Sequence, residues 1–125
     1  MIHLDTSFLI RALARGTGED RLLRTWVREA QELGMSAVAW TEFLCGPVDS
    51  AVVQLALRVV ADRPAFGDED ALLAAKLYNA SGRRRGSSLD CMIAATALRA
   101  GASLATSNAH DFRRFEPEGQ RLLGP

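Results

Sequence analysis

The chain has 125 residues, 48% of them apolar and 24% charged, which is enough for one domain over 1–125 with a buried core. Fifteen basic and fifteen acidic side chains give a formal net charge of zero, which argues against a polycation that grips any nucleic acid by charge alone. No apolar run reaches the length of a membrane span, and Met1-Ile2-His3-Leu4-Asp5 lacks the basic head and long apolar stretch of a secretory signal, so a cytoplasmic protein without membrane contact is expected.

Ile2-His3-Leu4 reads as a short buried strand ending at Asp5. Asp5, Thr6 and Ser7 can each cap the helix that Phe8, Leu9, Ile10 and Leu13 begin, and Gly16-Thr17-Gly18 breaks it. A second helix is predicted from about 19 to 33, with Leu22, Leu23, Trp26, Val27 and Ala30 on one stripe and Gly34 as its stop. Residues 35–38 form a strand candidate. A short helix follows over about 40–45, ended by Gly46-Pro47, and Asp49-Ser50 caps another to about 61. Residues 63–67 connect to a helix over about 69–79. A loop, Ser81-Gly82-Arg83-Arg84-Arg85-Gly86, leads into a helix over 87–100, stopped by Gly101. Residues 102–106 read as a strand, 107–115 as a loop or short helix, and 120–123 as an edge strand. Short strands alternating with helices imply a parallel sheet with helices on both faces, and ligands of such sheets bind beyond the carboxyl ends of the strands.

Four acids sit at element ends with apolar sequence around them: Asp5, Glu42, Asp90 and Asp111. Each has an ordinary alternative. Asp5 could cap the first helix, although Thr6 and Ser7 could do so and leave its carboxylate spare. Glu42 could be a first-turn acid favoured by the helix dipole. Asp90 could close a capping box with Ser87, and Asp111 could be a turn residue. Asp90, however, shares a stripe with Ala94 and Ala97 that should face the core, where a carboxylate is costly unless it is paired or holds a cation. Together the four acids suggest a divalent-metal site and phosphodiester chemistry.

The remaining polar residues carry less. Asp20, Glu29 and Glu32 read as surface charges, Asp49 and Asp68-Glu69-Asp70 as helix-start acids, and His3 as a satisfied core histidine. His110 lies in the loop that carries Asp111 and could touch substrate. Cys45 and Cys91 read as buried free thiols without metal-ligand spacing, so an all-oxygen Mg²⁺ or Mn²⁺ site is favoured over zinc. Arg83, Arg84 and Arg85 read either as a solvated loop or as a phosphate-holding border of an acidic cleft.

Ile-His-Leu-Asp5-Thr-Ser-Phe-Leu, Thr41-Glu42-Phe43, Leu89-Asp90-Cys-Met-Ile-Ala-Ala-Thr-Ala-Leu98 and Leu104-Ala-Thr106-Ser-Asn108-Ala-His-Asp111-Phe112 resemble a PIN domain over nearly the whole chain. The absence of appended segments resembles VapC-type toxins of prokaryotic toxin–antitoxin pairs. The resemblance implies a three-layer α/β/α fold with a short central parallel sheet. It implies a Mg²⁺- or Mn²⁺-dependent endoribonuclease with RNA as substrate, a small cognate antitoxin as partner and a homodimeric state. Carried over, it makes Asp5 and Asp90 direct metal ligands and Asp111 a further one, through water. Glu42 would bind a metal or orient the attacking water, with Thr6 and Asn108 supporting by hydrogen bonds. Members differ in whether the Asn108 or the Asp111 position bears the carboxylate; here only Asp111 can. The rival reading is a non-catalytic RNA- or protein-binding α/β module whose acids merely cap helices. A dehalogenase-like phosphatase would want an acid where Ser7 stands, and a phospho-receiver wants a late lysine, whereas Lys76 is the only lysine.

Overall fold

The computed structural model describes residues 1–125. The elements are β1 (Ile2–Leu4), α1 (Thr6–Ala12), α2 (Gly18–Arg28), β2 (Leu33–Gly34), α3 (Ala37–Cys45), α4 (Ser50–Val59), α5 (Asp68–Ala80), α6 (Ser88–Arg99), β3 (Ser103–Ala105), α7 (Ala109–Phe112), a 3₁₀ helix (Arg113–Glu118) and β4 (Leu122–Leu123). The four strands form one parallel sheet in the order β2-β1-β3-β4, as the α/β reading expects. Ile2 pairs with Leu33 on one side and with Ser103 on the other, and Leu104 pairs with Leu122. From β1 the chain moves outward to β2, and from β3 it moves outward the other way to β4. Right-handed crossovers therefore place the helices that follow these two strands on opposite faces, and the crevice between them opens beyond Leu4 and Ala105.

Two boundaries differ from the sequence reading. α2 stops at Arg28 because Ala30 takes a left-handed conformation (φ 55°) and the Gln31 N–H returns to the Trp26 carbonyl at 2.9 Å. This releases Leu33, so β2 lies at Leu33–Gly34 and not at 35–38. The Ser36 hydroxyl accepts from the Ala39 N–H at 3.0 Å and turns Ala37 and Val38 into the first turn of α3. Beyond β2, Asp62 makes an isolated parallel bridge to Gly34. A Cβ at Gly34 would stand 3.0 Å from both the Asp62 carbonyl oxygen and the His3 ring, so this close approach requires glycine.

The sheet is buried on both faces. Leu4, Phe8, Leu9, Met35, Ala39, Leu104 and Ala105 are inaccessible to solvent, and the Phe8 and Trp26 rings stack at 5.4 Å between α1 and α2. α6 is buried on nearly every side through Cys91, Ile93, Ala94, Ala95, Thr96 and Ala97, whose small side chains let α3, α5 and β3 pack against it. Arg99 at its end pairs with Asp70 at 2.9 Å and with Glu69, tying α6 to the start of α5. Asp70 also accepts from the Gly67 N–H at 2.8 Å, the capping role expected of it. The fit between α6 and its neighbours is what holds the helix that begins near Asp90 against the strand edge.

Several side chains depart from their expected settings. Cys91 is buried but Cys45 is exposed, because the α3 stripe that faces inward runs through Ala39 and Phe43. Asp20 is buried rather than a surface charge: it accepts from the Gly16 N–H at 3.0 Å and pairs with Arg24 at 2.8 Å. His3 is buried as expected, yet both ring nitrogens lack partners. Burial lowers its pKa, against the raising charge of Asp62, so the ring stays neutral. No helix is long and apolar enough to cross a membrane.

Candidate active site

Asp5 follows directly on β1, its N–H donating to the carbonyl of Ala105, the last residue of β3, at 2.9 Å, which extends the ladder one step past β1. The side chain is buried and hydrogen-bonded through both oxygens, with acceptor capacity left on Oδ2. Oδ1 accepts from the Phe8 N–H at 2.8 Å and from the Ser7 hydroxyl at 2.8 Å, and Oδ2 accepts from the Thr106 hydroxyl at 2.6 Å. Asp5 is thus the N-cap of α1, through Oδ1, while Oδ2 keeps a lone pair beyond its bond from Thr106. Burial pushes its pKa above the ordinary value. The hydrogen bonds from Thr106, Phe8 and Ser7 oppose that rise, and the charge of Glu42 adds to it.

Asp90 lies in the first turn of α6, with 29% of its side chain exposed. The capping box expected with Ser87 is absent: the Ser87 hydroxyl donates to the Arg84 carbonyl at 2.7 Å and gives α6 no side-chain cap. The carboxylate turns instead to Arg114, whose terminal nitrogen is 3.4 Å away. Burial raises the Asp90 pKa to about 6; Arg114 opposes the rise, and the charges of Asp111, Glu42 and Asp5 all add to it. Asp5 after β1, Glu42 of α3 and Asp111 of α7 thus all bear electrostatically on the Asp90 carboxylate of α6.

The supporting residues fall into place around them. The Thr6 hydroxyl stands 3.0 Å from the Ala39 carbonyl and 3.2 Å from Glu42 Oε1, linking the half-buried Glu42 to α1. The Asn108 amide donates to Asp111 Oδ2 at 2.5 Å, and Arg84 approaches Asp111 Oδ1 at 3.4 Å. Of the arginine loop only Arg84 reaches the acids. Arg83 lies over the Tyr78 ring at 5.3 Å, and Arg85 lines a cavity of about 480 Å³ between α5 and α6. His110 lies beside Asp111 on α7.

Residues that the sequence reading left out complete the arrangement. The Thr106 hydroxyl binds Asp5 and accepts from the Asn108 N–H at 2.9 Å, so one side chain joins two site loops. Glu19 is buried and accepts from the Ser107 hydroxyl at 2.6 Å and from Arg11 at 2.5 Å, while the Ser107 N–H donates to the Ser7 hydroxyl at 3.2 Å. The Ser107 hydroxyl, with Arg11, holds the Glu19 carboxyl below its usual range. Glu19 therefore fastens the segment after β3 to the start of α2. Thr106→Val is expected to lower the unfolding free energy by about 1–2 kcal/mol, since a buried carboxylate loses a charge-assisted hydrogen bond. Urea denaturation in EDTA checks this, and an unchanged midpoint would contradict it.

Two open clefts lie nearby, and of the four acids only Glu42 lines one of them. One, of about 520 Å³, is lined by Thr106, Ser107, Arg11, Glu19 and Arg113; the other, of about 530 Å³, by Glu42, Thr41, Leu89 and Met92. No three His, Cys, Asp or Glu side chains close around a common point on their own, two of the four acids being turned to arginines. The donor set is nevertheless all oxygen, from the carboxylates of Asp5, Glu42, Asp90 and Asp111. That donor chemistry fits a hard divalent cation such as Mg²⁺ or Mn²⁺.

A four-stranded parallel α/β sheet with acids and hydroxyls gathered at the carboxyl edge defines the class of this protein. The family model described as PIN domain matches residues 2–116, and the chain belongs to that family, as the motifs implied. Among solved structures it is similar to VapBC2 from Rickettsia felis bound to a DNA fragment from the promoter, with a TM-score of 0.77, 18% identity and coverage of 100% of this chain and 99% of the other. FitAcB from Neisseria gonorrhoeae gives a TM-score of 0.74 at 19% identity, covering 98% and 96% of the two chains. VapBC-1 from nontypeable Haemophilus influenzae gives 0.73 at 21%, covering 99% and 98%. At these identities the likeness is one of fold. Comparison with curated protein sequences returned no match.

Proposed function

We propose that this chain is a divalent-metal-dependent endoribonuclease and the toxin of a type II toxin–antitoxin pair. The reading is supported by the charges of Asp5 after β1, Glu42 of α3 and Asp111 of α7, all three of which bear on Asp90 of α6, on the edge where α/β sheets bind ligands. PIN domains are in general divalent-metal-dependent nucleases, and the similar structures are toxin–antitoxin complexes by name. Exposed Leu44, Leu72 and Leu89 offer apolar surface of the kind that an antitoxin or a second copy of the chain would cover.

Asp5 and Asp90 are the direct ligands in this reading, and Asp111 is the third through water. When bound, a divalent cation there would supply charge neutralisation at the scissile phosphate and a more acidic water. Glu42, steered by Thr6, orients the attacking water and accepts its proton. Asn108 fixes the Asp111 carboxylate, and Arg84 offers a guanidinium to the RNA backbone. The reading is tested by incubating the purified protein, freed of bound inhibitor, with total cellular RNA in Mg²⁺ or Mn²⁺ and again in excess EDTA. Discrete fragments that vanish in EDTA are expected. Equal cleavage in EDTA would remove the metal, and no cleavage by folded, metal-loaded protein would favour a binding module.

A further inference from the structure

Arg114 is the one charged side chain placed beneath the acids that the proposed reaction leaves without a role. It lies on the 3₁₀ helix, and only 14% of its side chain is exposed. Its guanidinium sits 4.8 Å from the centroid of the Phe115 ring, itself fully buried. One terminal nitrogen meets Asp90 Oδ2 at 3.4 Å; Nε and the other terminal nitrogen are buried and have no partner. A guanidinium carries five N–H donors in a rigid plane and does not lose its proton. Leaving such donors buried and unpaired is costly, so their presence calls for a reason. Asp90 has no other hydrogen-bond partner, so the two ions are each other's only direct compensation.

We propose that Arg114 is the resident counter-cation of the site: it holds Asp90 until a divalent cation takes that carboxylate, and its freed guanidinium then binds the RNA phosphate. This rests on the nuclease reading of the four acids. The long contact to Asp90 is consistent with a pairing that yields to a closer ligand. Each two-donor edge of the guanidinium includes the terminal nitrogen now held by Asp90, so its release would free the fork that matches a phosphate's non-bridging oxygens. Phe115 anchors the adjacent backbone in the core and gives the arginine plane a surface against which to turn. Arg84 makes a comparable contact with Asp111, but its side chain is 53% exposed and finds water freely, so it carries no such penalty.

The assignment makes Arg114 a competitor for metal and a helper of substrate, and these two roles predict opposite effects of one substitution. Arg114→Met keeps the length and the apolar contact with Phe115 while removing the charge. In this variant Mn²⁺, followed by electron paramagnetic resonance without RNA, is expected to bind about 5-fold or more tightly, the size of an ordinary coupling between two sites. Cleavage of an RNA at saturating Mn²⁺ is expected to fall by about 100-fold, as when one donor to a transition-state anion is lost. Arg114→Lys, which restores a point charge without the fork, is expected to return Mn²⁺ affinity toward the wild-type value while remaining slow. Unchanged Mn²⁺ affinity with unchanged cleavage would overturn the proposal. So would weakened Mn²⁺ binding in both variants at an unchanged melting temperature, which would mark a merely structural arginine. A wild-type protein that neither binds Mn²⁺ nor cuts RNA would overturn the nuclease reading itself and the proposal with it. A wild type that does both, beside an indistinguishable Arg114→Met, would overturn the arginine's role alone.

Discussion

Asp90→Asn is expected to lower metal-dependent RNA cleavage by more than about 100-fold, since losing a ligand costs more than losing the residues that orient ligands. The substitution is isosteric, lies in the first turn of α6 and removes one negative charge from a cluster of four. The fold should therefore survive, which circular dichroism and the melting temperature report. Asp5→Asn should abolish cleavage similarly, but at a cost in stability. The Phe8 N–H and the Thr106 and Ser7 hydroxyls all donate to Asp5, and an amide nitrogen cannot accept from them. Asp49→Asn is the control. Asp49 caps α4 by accepting from the Val52 N–H at 2.9 Å, a role that asparagine fills equally well, so this variant should leave both cleavage and stability nearly unchanged. Full cleavage by Asp90→Asn at saturating metal would remove Asp90 from the ligand set.

In metal-free buffer the same residue carries the largest pH effect. The Asp90 carboxyl is raised from 3.8 to about 6 in the folded chain, chiefly by burial. A carboxyl raised on folding contributes stability that is fully present below pH 4 and is lost as the pH rises through about 6. A rise from 3.8 to about 6 corresponds to about 3 kcal/mol. Asp5 is raised too and acts in the same sense, whereas the lowered Glu19 and Asp70 act in the opposite sense. The difference between wild type and Asp90→Asn isolates the single group. Measured by urea unfolding in EDTA, that difference should move by about 3 kcal/mol in favour of the variant between pH 4 and pH 7.5. A difference constant across this range would contradict the environment described for Asp90. Adding Mn²⁺ at pH 7.5 should reverse the ranking, because a ligand that binds only the folded wild type stabilises it.

The acids were legible because each interrupts an apolar pattern. Asp5 ends a strand that is otherwise buried, and Asp90 lies on the inward stripe of a helix whose remaining turns are apolar. The parallel order was legible from alternating elements, and with it the edge on which such acids meet. What stayed hidden depends on partners far apart in the chain. Glu19 meets Ser107 across 88 positions and Asp90 meets Arg114 across 24, so neither pairing leaves a local signature. Asp20 could not be told from a surface charge, because its place under the Gly16 turn is made by a loop and not by periodicity. The position of β2 was misjudged for a competition between neighbours: Met35-Ser36-Ala37-Val38 suits a strand, but the Ser36 cap draws the last two residues into α3. His3 looked satisfied because an apolar strand says nothing about whether ring nitrogens find partners.

The central claim is that Asp5 and Asp90 hold one divalent cation between β1 and α6. It is tested most directly by anomalous scattering at the manganese edge from crystals soaked in Mn²⁺. The account predicts a peak in contact with carboxylate oxygens of Asp5 and Asp90, with Arg114 withdrawn from Asp90. A fully soaked crystal with no peak at this edge, and Asp90 still facing Arg114, would contradict it.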